Sequence, residues 1–424
     1  MKLNYKRTYF VGLAFMSICA FWQMYDSLIP LILQNTFELS ETATGVVMSV
    51  DNVLALFLLP IIGTFSDKVD TPLGKRTPFI IGGTVVAVIS MMLLPYADAT
   101  VNFTLFVVAL GITLLSMAMY RSPAVALMPD VTPKPLRSKA NAVINLMGAI
   151  GCVYALVLIS LLVGEGERPS YLGVFVGMAV IMLGSVIILI STTREKTIAV
   201  QIAEEYPEEV KKEQAIADEP LAPEVRKSLV LILLSVLLWY MAYNAVTTGF
   251  SRYAILVWGL EGGGFADCLM VATVVAILSY IPIGILSSKY GRKKVILLGI
   301  ILMLASYCGA FFFTSYHFSI NLGFGFIGIG WAAISVNSLP MVVEMSKGSD
   351  LGKYTGLYYT FSMAAQIATP ILSGVLLQYI SYRTLFPYAA FFMAAALLTM
   401  SMVKHGDSIP MKRESLLENF DIED

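Results

Sequence analysis

Residues 194–227 read REKTIAVQIAEEYPEEVKKEQAIADEPLAPEVRK. The stretch is dense in charge and holds Pro207, Pro220 and Pro223, so it cannot lie in hydrocarbon, where every backbone polar group must be paired and charge is costly. The chain on either side has the opposite character. Apolar runs follow one another with short breaks, each near the ~20 residues a helix needs to cross a bilayer. They lie at 9–33, 43–65, 78–96, 101–128, 140–163 and 171–192 before the charged stretch, and at 228–250, 265–286, 295–314, 317–343, 354–380 and 384–403 after it. The 424 residues are 57% hydrophobic and only 13% charged, about half the ~25% of an average soluble protein. Mean hydropathy is +0.77. Too few charged side chains remain to solvate a globular surface, and the expected fold is an all-α membrane protein with twelve transmembrane helices.

The expected organisation is an N-terminal six-helix bundle over 1–193, a cytoplasmic linker over 194–227, a C-terminal six-helix bundle over 228–403 and a disordered cytoplasmic tail over 404–424. The apolar run from Tyr9 to Leu33 exceeds the ~7–15 residues of a signal-peptide core and reads as a retained first span. Orientation follows from Lys and Arg, which gather in cytoplasmic loops. With the N-terminus inside, 24 of the 28 fall in inside segments and only Arg168, Arg252 and Arg383 fall outside; Arg121 lies within a span. Both termini are therefore expected in the cytoplasm.

The remaining composition excludes several function classes. The net charge of −1 gives no basic excess for nucleic acid. Cys19, Cys152, Cys268 and Cys308 sit inside apolar runs without CxxC spacing, where they behave as small hydrophobes. Only His317 and His405 are present, and neither an HExxH nor a GxSxG motif occurs. No enzyme activity, metal or cofactor is expected.

The halves repeat each other. GTFSDK at 63–68 returns as GILSSK at 284–289, an offset of 221; Gly74 matches Gly291, Pro123 matches Pro340, and Trp22 and Met24 match Trp239 and Met241, each of these at an offset of 217 because the first loop carries four extra residues. Such matches in order indicate duplication. Two parallel six-helix repeats resemble the halves of the major facilitator superfamily, a likeness that implies alternating access with a site near the midplane.

Ionisable residues inside spans are costly and mark sites by default. Three occur in the first half: Asp26 in the first span, Asp51 in the second and Arg121 in the fourth. Counted from the span ends at ~1.5 Å per residue, the two carboxylates share a level in the outer half of the membrane, with Arg121 nearer the inner end. Asp26 and Asp51 are the candidates for proton coupling, because a carboxylate exchanges a proton as its surroundings change. Arg121 is the candidate charge partner or substrate ligand. The competing reading of all three is a structural polar contact between helices.

Polar and aromatic residues also line single helix faces. The first span presents Cys19, Trp22, Gln23, Asp26 and Pro30; the fourth presents Ser116 and Tyr120; the seventh presents Tyr240, Asn244 and Thr247, with Trp239 and Tyr243 alongside; the tenth presents Trp331, Ser335 and Ser338, with Asn337 near them. In the superfamily the chain resembles, these four helices line the cavity. Flat aromatic faces and amides suit the C–H surfaces and hydroxyls of a sugar, although single aromatics in membrane proteins more often pack or face lipid. At the cytoplasmic ends, Asp67 with Lys75 and Arg76, and Asp130 with Arg137, are candidate gate residues whose weak surface pairing suits a bistable latch.

The first loop, written by Gly63, Ser66, Asp67, Lys68, Gly74, Lys75, Arg76, Pro78 and Phe79, resembles the signature of sucrose-type carriers: the plant sucrose transporters and solute carrier family forty-five, relatives of the glycoside–pentoside–hexuronide:cation symporters. RSPAVALMPD at 121–130 and GKYTGLYYTFSMAAQIATP at 352–370 are similar to two further stretches of those carriers. Two departures stand out. The family's helix 4 arginine position is Val125 here, while Arg121 lies two residues before Pro123; and the second helix 2 carboxylate of sodium-coupled members is Ala55. An oxygen cage for a hard cation is therefore incomplete on that helix.

The resemblance implies a proton-coupled importer of a disaccharide or other glycoside, a monomer in the plasma membrane whose partners are a small-molecule substrate, protons and lipid. The alternatives are an exporter, a carrier of a non-sugar solute such as an organic anion, and a non-transporting sensor on a carrier fold.

Overall fold

The computed structural model describes residues 4–132, 137–166, 168–205, 222–345 and 351–407; within the helices, the side chains of Asp67 and of 137–139 are among those outside this description. The expectation of a disordered tail falls almost wholly on residues outside it. Among the described residues the secondary structure is helical: α1 Tyr5–Asn35, α2 Glu41–Asp67, α3 Thr77–Ala99, α4 Phe103–Asp130, α5 Arg137–Leu162, α6 Leu172–Thr192, α7 Glu195–Glu205, α8 Pro223–Leu256, α9 Phe265–Tyr290, α10 Arg292–Phe311, α11 Ile320–Val343, α12 Leu351–Tyr379 and α13 Leu385–Met402, with a 3-10 turn at Tyr382–Thr384. All but α7 are long and apolar enough to cross a membrane, twelve in number as the sequence predicts. Helix α7 occupies the start of the charged stretch.

Helix ends follow local chemistry. Helix α4 begins after Asn102, whose side chain accepts the Leu105 N–H at 3.0 Å, a standard N-cap. Helix α3 carries Pro78 in its first turn, where a missing N–H costs nothing. The sequence reading starts the seventh span at 228, yet α8 begins five residues earlier, at Pro223. Its first five residues include Glu224, Arg226 and Lys227, so the helix extends beyond the part that hydropathy can detect.

The chain forms two compact units: Met1–Tyr25, Asn35–Phe37 and Val53–Ala215; and Asp26–Gln34, Glu38–Asn52 and Ile216–Asp424. The second thus takes in the parts of α1 and α2 flanking their connecting turn. The duplication reappears in packing. In the first unit α3 lies along α4 and against α6; in the second α10 lies along α11 and against α13. These are the third helix of each half against its fourth and sixth. Helices in lipid gain little from hydrophobic burial and associate through close backbone approach at small residues. At the α10–α11 crossing, a Cβ on Gly299 would lie 2.7 Å from the Gly330 carbonyl oxygen, and one on Gly330 would lie 2.6 Å from that of Gly299.

Candidate functional site

The densest group of predicted site residues lies in the second unit. The rings of Tyr243 (α8) and Trp331 (α11) stack face to face, centroids 3.7 Å apart and 5° from parallel. Tyr240, one turn earlier on α8, stands edge-on to Trp331 at 5.4 Å and to Tyr358 of α12 at 6.5 Å. Tyr358 is fixed in turn by its hydroxyl, 2.9 Å from Ser338 Oγ. Tyr240, Tyr243, Asn244 and Trp331 are all half-buried, and the Asn244 side-chain nitrogen has no hydrogen-bond partner among the described residues. A rigid aromatic wall beside an unused amide donor results. Trp239 and Asn337 face the packed interior instead: Trp239 is fully buried, and Asn337 donates to the Ala333 carbonyl of its own helix at 2.8 Å.

In the first unit, Tyr120 is also fully buried. Its hydroxyl lies 2.7 Å from Ser17 Oγ and donates to the Ala14 carbonyl at 3.0 Å, tying α4 to α1. Trp22 and Gln23 of α1 are half-buried. The Trp22 ring meets Phe21 and Tyr25 edge-on at 5.2 and 5.4 Å, and its indole nitrogen has no partner among the described residues. Arg121 is half-buried on α4 and, among the described residues, makes no hydrogen bond or ion pair. Asp26 and Asp51, both in the second unit, are close enough for their charges to interact; Asp51 also accepts from the Asn52 amide at 2.9 Å.

The predicted gate residues form a network within the first unit. Arg76 Nε donates to Asp130 Oδ2 at 2.8 Å, and Lys75 Nζ lies 3.2 Å from the same oxygen. Arg76 also reaches the Ser66 hydroxyl and, at 3.3 Å, the Gly63 carbonyl. Asp130 therefore joins Arg76 and Lys75, and the expected partners Asp67 and Arg137 have side chains outside the described residues. One member of the network, Glu195, is missing from the sequence reading. Its buried carboxylate accepts the backbone N–H groups of Lys75, Arg76 and Thr77 at 2.8–3.1 Å and the Thr77 hydroxyl at 2.7 Å, and so sits at the α3 N-terminus, where exposed N–H groups and the helix dipole favour an anion. Gly74 has φ +113°, and a Cβ there would lie 2.3 Å from the Glu195 carboxylate.

The second half repeats the device. Gly291 has φ +91° and precedes α10, Arg292 pairs with Glu344, and Asp407 accepts the Lys293 N–H at 2.9 Å. In each half an acid following the sixth helix caps the third. Glu195→Ala strands the donors of Lys75, Arg76 and Thr77, at about 1–3 kcal/mol for each buried group left unsatisfied. The expected result is a fall of several degrees in the thermal unfolding midpoint of the detergent-solubilised protein, with Glu195→Gln intermediate; an unchanged midpoint would remove the cap from this account.

The family model for MFS/sugar transport proteins matches residues 11–405. The chain belongs to that family. Its members are carriers, and this chain is accordingly a secondary transporter and multi-pass membrane protein, not an enzyme, whose partners are a small-molecule substrate and the lipid bilayer. The sucrose transport protein SUT3 of Oryza sativa subsp. indica is 28% identical over 149 residues, covering 31% of this chain and 29% of that one; the match thus spans less than a third of the relative's length. Among solved structures, a mutant of the peptide transporter POT superimposes with a TM-score of 0.71 at 12% identity, covering 95% of each chain. A mutant of the nucleoside transporter NupG gives 0.70 at 14% identity, over 94% of this chain and 99% of that one. At such identity these likenesses show the fold alone.

Proposed function

We propose that this transporter imports a disaccharide or other glycoside across the plasma membrane, coupled to protons, by alternating access between the six-helix halves with both termini in the cytoplasm. The observation that carries the sugar reading is the Tyr243–Trp331 stack flanked by Tyr240 and Tyr358, with the Asn244 amide nitrogen, unpartnered among the described residues, on the same helix. Sugars present patches of C–H that rest on aromatic faces and hydroxyls that need amide or carboxylate partners. The family model and the partial likeness to a sucrose transport protein support the same class. Proton coupling is supported by two interacting carboxylates, Asp26 and Asp51, and by Ala55 where sodium-coupled relatives place a second carboxylate. Within the first unit, Trp22, Gln23 and Arg121 are the proposed substrate residues, with Tyr120 tying α4 to α1; within the second, Trp239 packs α8 into the interior. The carrier works as a monomer.

A ligand that binds only the folded protein stabilises it by about 2.7 kcal/mol at a hundred times its Kd. In a panel of sucrose, maltose, melibiose and glucose, one glycoside is expected to raise the unfolding midpoint, and to lose that effect in Tyr243→Ala. Arg121 favours a second reading. A half-buried guanidinium without an ion pair among the described residues suits an organic anion, and stabilisation by carboxylates but by no sugar would select it.

A further inference from the structure

A second, separate charged cluster lies beside the α1–α2 turn, wholly within the second unit. Arg252 Nη2 of α8 lies 2.8 Å from Glu41 Oε1 of α2, and the two side chains are only 11% and 9% exposed. Tyr382, in the turn before α13, donates its hydroxyl to Glu41 and accepts from Arg252 Nη2 at 2.7 Å. Gln34 Nε2, at the end of α1, donates to the other Glu41 oxygen at 2.6 Å. The Glu41 carboxylate is thus held by three elements besides its own.

Backbone contact seals the same place. A Cβ on Gly45 would fall 2.0 Å from the Pro370 carbonyl oxygen, and one on Gly374 would fall 2.6 Å from that of Glu41, so α2 and α12 touch main chain to main chain. The Thr42 N–H donates to Gln378 Oε1 at 3.1 Å. Beneath the ion pair lies a small cavity of about 30 Å³, lined in part by Gln34, Thr44, Thr248 and Ser373. Gln34 Oε1 and Thr44 Oγ1 are buried there without partners among the described residues, and a polar space of that size suits about one water molecule.

A salt bridge this buried is an odd choice for stability alone. Desolvating both charges costs about as much as their attraction returns, whereas removing one partner strands the other. A pair that is stable when enclosed and equally content when hydrated on separation suits two states of similar energy. We infer that Glu41, Arg252, Tyr382 and Gln34 form the outer gate of the transport cycle: the latch closes the substrate path from outside, and its rupture, with parting of Gly45 from Pro370 and Gly374 from Glu41, opens it. The inference rests on the transporter assignment and not on the identity of the substrate.

The test needs no substrate. Ser373, in the cavity wall and buried, is replaced by cysteine in the full chain, and its labelling by a membrane-impermeant thiol reagent is followed by mass spectrometry from outside. The chain without Ser373→Cys corrects for native thiols, of which Cys308 is exposed. Glu41→Gln is expected to raise the labelling rate tenfold or more, and Tyr382→Phe, which leaves the ion pair in place, about threefold. In inverted vesicles, a Ser122→Cys reporter on α4 is expected to label correspondingly more slowly, a reciprocal change that mere loosening of the outer end would not give. Rates within twofold of the parent for both variants, in protein that elutes and melts as folded, would overturn the gate; so would faster outer labelling with no change at Ser122→Cys.

Discussion

Replacing Asp26 by asparagine is expected to abolish accumulation of substrate against its gradient while leaving exchange between two substrate pools intact. The amide keeps the size and much of the hydrogen bonding of the carboxylate but cannot carry a proton, so the coupling step is lost and the binding wall on α8 and α11 is untouched. For one proton per substrate, a gradient of one pH unit supports about a tenfold accumulation, or roughly 1.4 kcal/mol; in Asp26→Asn the ratio is expected to fall to one. Asp51→Asn, made in parallel, identifies which of the interacting pair holds the transported proton. The measurement is radiolabelled uptake and counterflow in the same proteoliposomes. Retained accumulation in both variants would remove these carboxylates from coupling.

The second large effect is expected at Trp331. Its ring is the shared element of the aromatic wall, stacked on Tyr243 at 3.7 Å and met edge-on by Tyr240. Trp331→Ala removes the platform and frees two tyrosines to turn. The expected loss of affinity is about 10–100-fold, or roughly 1.4–2.8 kcal/mol. Because Trp331 is half-buried, the unfolding midpoint is expected to move much less than it does for Glu195→Ala. Trp331→Phe retains a flat face and is expected to recover part of the affinity. Equilibrium binding of the stabilising glycoside, measured by calorimetry, decides the matter.

The helices were readable from sequence because hydrocarbon imposes one strict demand, an unbroken apolar run long enough to pair its own backbone. The same demand explains why α8 starts before the apolar run: its charged first residues lie beyond that run, and Pro223 as a helix start is a signal of local chemistry rather than hydropathy. The aromatic stripe on α8 was legible from the spacing of Tyr240, Tyr243 and Asn244. That Trp239, next in sequence to Tyr240, points into the core was not, since both belong to one aromatic cluster on the same helix. The spacing on α4 likewise makes Tyr120 a candidate site residue, and no local pattern encodes the meeting of its hydroxyl with Ser17, 103 residues away.

Charged residues were legible as a class but not as pairs. Glu195 was lost in the composition of the linker, where it is one acid among many; only the positive φ of Gly74 and the bare N-terminus of α3 single it out. Glu41 and Tyr382 are 341 positions apart, and Arg252 read as one of three basic residues on the sparsely charged outer side. Pairing of this kind depends on how helices from distant parts of the chain meet, which no local pattern encodes.

The most direct test of the proposed function is uptake into proteoliposomes of sucrose, maltose, melibiose and glucose, driven first by an inward proton gradient and then by a sodium gradient alone. The account predicts that one glycoside accumulates above its equilibrium level under the proton gradient and not under sodium. Movement of no sugar under either gradient, in protein shown to be folded, would contradict the sugar assignment, and accumulation driven by sodium alone would contradict proton coupling.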